Sequence, residues 1–83
     1  MGFTRLDARD EEALEALSVG QRSYIRAAKM VGIGPGTYDK LVSSGRGCRP
    51  ATVAKVAAAL AELLRTQPEA FRWRAHRSAG VGT

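Results

Sequence analysis

Two short helices joined by a glycine turn are predicted by residues 23–43, which read SYIRAAKMVGIGPGTYDKLVS. Gly32 can end the first helix because glycine adopts the left-handed backbone conformation that few other residues tolerate. Pro35 stands where the second helix would begin, which is the helical position that accepts proline most readily. Ala27 and Ala28 have side chains small enough to let the two helices cross closely. The stretch therefore predicts a tightly crossed pair of helices.

The second helix of this pair has an inward and an outward face in the sequence. Tyr38 and Leu41, three residues apart, can anchor it to the core, while Ile33 can fill the turn before it. Ser23 can cap the first helix of the pair. The other positions of the second helix are small or polar. This is the layout of a helix-turn-helix motif, whose second helix enters the major groove of DNA.

The flanking sequence predicts a helix on each side of this pair. Asp7 or Asp10 can cap the first helix of the chain, and Val19-Gly20 is expected to end it. Pro50 opens a fourth helix, in which apolar residues recur at spacings of three and four, as in a helix with one buried face. These residues are Val53, Val56, Ala57, Leu60 and Leu64.

The predicted fold class is all-α, a compact four- or five-helix bundle that contains the helix-turn-helix. Pro68 ends the fourth helix, and a short fifth helix can carry Phe71 and Trp73. No run of β-branched residues alternates with polar ones, so strands are not indicated. The length of 83 residues suits one small domain. We expect that domain to span 1–77, followed by a disordered tail, 78–83.

Positive charge is concentrated after residue 20. Residues 1–20 hold five acidic residues against two arginines, a net charge of −3. Residues 21–83 hold eleven basic residues against three acidic ones, a net charge of +8. A basic body of this kind suits a polyanion such as nucleic acid. The alternative is a domain that is basic without any such partner.

Catalytic, metal and membrane functions have little support in the sequence. Cys48 is a lone cysteine, which excludes an internal disulfide and multi-cysteine zinc sites, and we expect it to be exposed or half-buried. His76 has no partner at metal-ligand spacing and is expected on the surface. No phosphate-binding loop, paired carboxylates or His-centred triad stands out, so we expect no enzyme and no cofactor. The N-terminus lacks the apolar run of a signal peptide, and a single cysteine fits a reducing cytoplasm, so we expect a cytoplasmic protein that DNA binding would place at the nucleoid.

A set of residues between about 22 and 64 has the spacing of a known family. The matching residues are Ser23, Ala28, Gly32 and Ile33, then Thr37, Tyr38 and Leu41, then Arg49, Pro50, Thr52 and Val53. With them the chain resembles the lambda-repressor-like (Xre-type) DNA-binding domains over about half of its length. The resemblance implies a four- or five-helix bundle. It also implies a transcriptional regulator, often a repressor, of prokaryotic or phage type.

By this resemblance the second helix of the pair, about 35–43, reads DNA bases in the major groove. A lysine there can donate to guanine, and a threonine methyl group can contact thymine. Pro35 and Gly36 lack the hydrogen-bonding side chains usual at these positions, so reading shifts along the helix. The expected base-reading residues are Gly36, Thr37, Asp39, Lys40 and Ser43. As alternatives, Asp39 pairs with a nearby basic residue and Lys40 is a solvated surface lysine.

Phosphate contacts are expected from the start of the first helix of the pair and from the loop after the second. That loop is about one residue longer than is usual in the family and carries two arginines. The expected phosphate-contacting residues are Arg22, Tyr24, Arg26, Ser44, Arg46 and Arg49. A plain surface role is the alternative for Arg22, Tyr24 and Arg26.

The expected partner is double-stranded DNA, bound by a homodimer on a two-fold symmetric site. The alternative is a protein-interaction module, such as an antitoxin-like protein, that binds its partner through the acidic first helix or through Phe71 and Trp73. A steep loss of affinity for duplex DNA with rising salt would distinguish the first function from the second. RNA binding is less favoured because no exposed aromatic platform is evident.

Overall fold

Four α-helices account for most of residues 2–73, which are the residues that the computed structural model describes. They are α1 (Ala8–Gln21), α2 (Tyr24–Met30), α3 (Pro35–Tyr38) and α4 (Pro50–Thr66). A π-helical segment, Asp39–Ser43, continues α3, and a 3-10 turn, Pro68–Ala70, follows α4. No strand forms within residues 2–73, so the all-α class is confirmed. The predictions for His76 and for the tail 78–83 lie outside the described residues.

Helix α1 begins where the sequence predicted and ends later. The Asp7 side chain accepts a hydrogen bond of 2.8 Å from the Asp10 amide, so Asp7 is the cap of the two candidates. Gly20 is helical, and the helix instead ends at Gln21, followed by Arg22, which adopts a left-handed backbone with φ of 58°. The expectation that Val19-Gly20 ends the helix was therefore wrong.

Gly20 has a packing role rather than a terminating one. A Cβ atom at Gly20 would lie 2.1 Å from the Ala70 carbonyl oxygen. This close approach lets the segment after α4 lie against α1, where the Arg72 amide donates to the Ala16 carbonyl over 3.0 Å. The Gln21 side-chain amide donates to the Ala70 carbonyl over 3.2 Å. The C-terminal end of the described chain is thus tied to the first helix.

The predicted fifth helix is absent from residues 2–73. The 3-10 turn ends at Ala70, and Phe71 follows it in extended backbone. Phe71 is buried in the core, whereas the stacked ring of Trp73, with its centroid 5.8 Å away, is 47% exposed. The two aromatic residues therefore divide between the core and the surface.

The turn between α2 and α3 follows the prediction. The Ser23 hydroxyl caps α2 by accepting from the Arg26 amide over 3.1 Å. Gly32 has φ of 80°, and its amide donates to the Lys29 carbonyl, while the Ile33 amide donates to the Ala28 carbonyl over 2.9 Å. This pair of bonds is a Schellman motif, in which a left-handed residue satisfies the last carbonyls of a helix.

The core lies where α1, α2, the segment 35–43 and α4 meet. Its largest fully buried side chains are Leu14, Leu17, Val31, Val56 and Leu60. Tyr38 and Leu41 are buried, as predicted. On α4 the inward face continues to Leu63, whereas Leu64 is 37% exposed, because the helix repeats every 3.6 residues. The assignment of Leu64 to that face was wrong.

Cys48 was expected to be exposed or half-buried, and it is 8% exposed. It is covered because the N-terminal segment pairs with it. The Thr4 amide donates to the Cys48 carbonyl over 2.7 Å, and the Cys48 amide donates to the Thr4 carbonyl over 2.9 Å.

Among the helices described, none has both the length and the apolar composition to cross a membrane.

Candidate nucleic-acid interface

The segment 35–43 turns one face to the core and another to solvent. Tyr38 and Leu41 point inward and are buried. The five positions that the sequence assigned to base reading lie on the other side: Gly36, Asp39, Lys40 and Ser43 are exposed, and Thr37 is half-buried. All five are accessible to a ligand that approaches this helix.

The second half of this segment is wider than the regular helix that the sequence predicted. The Ser44 amide donates to the Asp39 carbonyl over 2.9 Å, which closes a π-type turn. Such turns occur often at functional sites. The widening shifts the side chains after Asp39 around the helix axis relative to an α-helix. It also leaves the Lys40 carbonyl free to accept from the Gly47 amide over 3.1 Å, which draws the following loop against the helix.

One flank of the segment 35–43 is a hollow shared with α1 and α2. Gly36, Asp39 and Ser43 line it together with Tyr24 and Glu15. The Tyr24 ring is 51% exposed and packs at a tilt of 42° on the Tyr38 ring, with the centroids 5.6 Å apart. Of the three phosphate-contacting residues predicted around the start of α2, which are Arg22, Tyr24 and Arg26, Tyr24 is the one that lines this hollow.

Tyr38 also lines this hollow, and its hydroxyl lies near Ser18 and Glu15 of α1. Burial raises the pKa of Tyr38 above its ordinary value of 10.0, and the nearby charge of Glu15 raises it further. A hydrogen bond with Ser18 lowers the pKa and offsets part of that rise. Tyr38 therefore keeps its proton at neutral pH and serves as a neutral anchor for the outward-facing helix.

The opposite flank is a second hollow, which combines predicted base-reading and phosphate-contacting residues. Thr37 and Lys40 line it from the helix, Arg49 from the loop, and Thr52 from the first turn of α4. Phe3 lines it from the N-terminal segment. The five predicted base-reading positions are therefore divided, with Gly36, Asp39 and Ser43 on the first flank and the other two here.

The loop 44–49 adds positive charge beside this second hollow. Arg46 and Arg49 are exposed, and with Lys40 they form no ion pair within residues 2–73. Arg5 lies over the same loop, since its Nη2 atom would be 2.9 Å from a Cβ atom at Gly45. Sequence reasoning missed Arg5 because the Thr4–Cys48 pairing that brings it here gives no local signal.

Three of the predicted phosphate-contacting residues, Arg22, Arg26 and Ser44, either lie away from the two hollows or already make a hydrogen bond within the chain. Arg22 and Arg26 are exposed near the start of α2, but neither lines either hollow. The Ser44 hydroxyl donates to the Asp39 carbonyl over 3.3 Å, so donating to a phosphate would require giving up that bond. Lys55, which the sequence did not single out, reaches the turn between α2 and α3, with its Cε atom 3.2 Å from a Cβ placed at Gly32.

Comparison of the chain with family models, with curated proteins and with solved structures found no match.

Proposed function

We propose that this protein is a sequence-specific, duplex-DNA-binding transcriptional regulator of prokaryotic or phage type. In this proposal α2, the Gly32 turn and the segment 35–43 act as a helix-turn-helix of the lambda-repressor-like kind. The observation that carries the proposal is the outward face of 35–43, which is exposed, small and polar, and is bordered by basic side chains. The role is binding rather than catalysis, and it would be performed in the cytoplasm at the nucleoid.

Base reading would fall to the side chains on the outward face of the segment 35–43. The major groove is wide enough for an α-helix, and Gly36 lets the backbone come close to the base edges. Lys40 can donate to O6 and N7 of guanine, and the Thr37 methyl group can contact the methyl group of thymine. Asp39 can accept from a cytosine amine, and the Ser43 hydroxyl can bond to a base of either type.

Phosphate binding would fall mainly to the arginines around the helix. Arg46 and Arg49 project from the loop beside the second hollow, and Arg5 lies on the same loop. Arg22 and Arg26 lie near the start of α2 and would contact the DNA backbone on the other side of the segment 35–43. Contacts to phosphate fix the position of a protein on DNA without encoding sequence. The two groups of residues should therefore respond differently to mutation.

The test compares Lys40→Ala with Arg46→Ala on a duplex that the protein selects from a random pool and on a scrambled duplex. Lys40→Ala should cost roughly 1–3 kcal/mol on the selected duplex and less on the scrambled one. Arg46→Ala should weaken both about equally and reduce the slope of log affinity against log salt by roughly one. Both measurements are made across a salt series.

The matched control is Arg65→Ala, which removes one positive charge near the far end of α4. Arg65 lies about 22 Å along the helix axis from Pro50, and its guanidinium pairs with Glu62. Its loss should leave both affinities and the salt slope nearly unchanged. If Lys40→Ala loses the same affinity on both duplexes, Lys40 is a phosphate contact and its proposed base reading is wrong; specificity then comes from backbone contacts at Gly36, from the loop after Ser43 or from DNA shape.

A protein-interaction module is the second candidate function, and one observation favours it. Trp73 is 47% exposed and extends the buried Phe71 ring to the surface, and aromatic residues are enriched at protein interfaces. Under this function the affinity for duplex DNA would be absent or insensitive to salt. The salt series described above therefore decides between the two candidates.

A further inference from the structure

Phe3 is an exposed apolar side chain beside the helix that we propose to read DNA. It is 64% exposed, the largest exposed fraction among the large apolar side chains within residues 2–73. It lines the hollow that Thr37, Lys40 and Arg49 also line. Burying an aromatic ring is favourable, and Phe3 gains little of this stabilisation within the chain. Its position thus provides apolar surface for a ligand on this face.

The position of Phe3 is set by the backbone contacts that its neighbour Thr4 makes with Gly47 and Cys48. Thr4 exchanges two hydrogen bonds with Cys48, of 2.7 and 2.9 Å. Gly47 has φ of 87°, and a Cβ atom there would lie 2.5 Å from the Thr4 carbonyl oxygen. The loop is thus shaped to receive this segment, so that Phe3 is held beside Thr37 and Lys40.

We propose that Phe3 and the Thr37 methyl group together form an apolar contact for the 5-methyl group of a thymine in the major groove. The inference rests on the proposed function, since it assigns a ligand to part of the same face. Apolar contact with the thymine methyl group is a recognised means of reading this base. The basic residues Lys40 and Arg49 on the same hollow supply the charge complementarity that draws DNA to it. Thymine would therefore be preferred beside the base pair that Lys40 contacts.

The experiment pairs a protein change with the removal of one methyl group from the DNA. The probe is the duplex that the wild-type protein selects from a random pool, with its thymines replaced one at a time by deoxyuridine. At one position the wild-type protein should lose about fourfold in affinity, which corresponds to burial of one methyl group at ~0.8 kcal/mol. Phe3→Ala should reduce this thymine-to-uracil ratio clearly towards one, since only the Thr37 methyl group then remains to contact the thymine methyl group.

Two further variants separate a specific contact from general effects of an aromatic residue. Phe3→Leu keeps an apolar side chain and should retain most of the thymine-to-uracil ratio. Trp73→Ala removes another exposed aromatic ring and should leave the ratio at its wild-type value. Thermal unfolding of Phe3→Ala should match that of the wild type because the ring is mostly exposed.

The outcomes distinguish this inference from the proposed function on which it rests. If the wild-type protein binds no duplex in a salt-dependent way, the proposed function itself is wrong. If it binds but Phe3→Ala keeps the full thymine-to-uracil ratio at every position, only the assignment of Phe3 is overturned. A marked drop in the unfolding temperature of Phe3→Ala would likewise overturn it, since the ring would then be part of the core.

Discussion

Gly20→Ala tests the tie between the C-terminal end of the described chain and α1. The added Cβ atom would lie 2.1 Å from the Ala70 carbonyl oxygen, 3.0 Å from the Ala70 carbonyl carbon and 3.2 Å from the Arg72 amide nitrogen. All three are backbone atoms, so no side chain can rotate away to relieve the clash. Relief requires the backbone of Ala70–Arg72 to move away from the helix.

The size of the effect can be worked out from what that movement breaks. Two hydrogen bonds are lost or stretched, from Arg72 to Ala16 and from Gln21 to Ala70, at roughly 0.5–1.5 kcal/mol each. The buried ring of Phe71 is partly exposed, at a cost of up to about 1.5–3 kcal/mol. Alanine returns about 1 kcal/mol through its higher helix propensity. Taking the middle of each range, with the ring only partly exposed, we expect Gly20→Ala to destabilise the fold by about 2–3 kcal/mol.

The assay is thermal and urea unfolding followed by circular dichroism. A loss of about 2–3 kcal/mol corresponds to a fall in Tm of roughly 8–24 °C for a domain of this size. Gly36→Ala is the matched control, because Gly36 is also helical and a Cβ atom there would have nothing within 4 Å. That variant should be as stable as the wild type or more so. If Gly20→Ala unfolds together with Gly36→Ala, the proposed tie is refuted.

Phe71→Ala provides a second check on the same reasoning. In the wild-type protein this change removes a buried ring and should cost about 3–5 kcal/mol. In the Gly20→Ala background the ring is already displaced, so the same change should cost clearly less. Strict additivity would show that the two residues act on separate parts of the fold.

The remaining predictions concern the turns, an anchoring residue and the assembly. Gly32→Val should destabilise the fold by about 1–3 kcal/mol in urea unfolding, because φ of 80° is strained for a β-branched residue. Arg22→Gly should raise stability by about 0.5–1 kcal/mol by relieving a left-handed φ of 58°, yet weaken DNA binding in the same salt series through loss of a phosphate contact. Burial raises the pKa of Tyr38 above 10.0, so the stability that the neutral Tyr38 ring contributes is fully present below pH 10 and is lost as the pH rises through the folded pKa. The Tyr38→Phe variant should therefore lose stability less steeply than the wild type above pH 10 in urea unfolding. Sedimentation with the selected duplex should show two protein chains on a symmetric site, and a single chain at saturation would contradict the proposed dimer.

Much of the helix pattern could be read from local signals. The cap at Ser23, the turn at Gly32 and the start at Pro50 each depend on the residue itself and its immediate neighbours. A hydroxyl beside free amides, a residue without Cβ and a ring that fixes φ act in the same way in any fold. The π-helical segment Asp39–Ser43 was missed because no local preference distinguishes it from an α-helix.

The outward face of the candidate site was predictable for a similar reason. Helical periodicity places Tyr38 and Leu41 on one side of a helix, and so leaves Lys40 and its polar neighbours on the other. Periodicity does not reveal which flank each exposed residue borders. The division between the hollow beside Tyr24 and the hollow beside Arg49 depends on how three other segments pack around the helix.

The amino-acid sequence by itself therefore determined the all-α class, the helix cap at Ser23, the helix start at Pro50, and the small, polar face of 35–43. Only the tertiary structure decided that Gly20 receives the Ala70 carbonyl, that Cys48 is covered by Thr4, and that Phe3 and Arg5 lie beside the loop 44–49. The physical reason is the range of the interactions. Caps and turns are settled among neighbouring residues, whereas each of these contacts joins segments more than 35 residues apart in the chain.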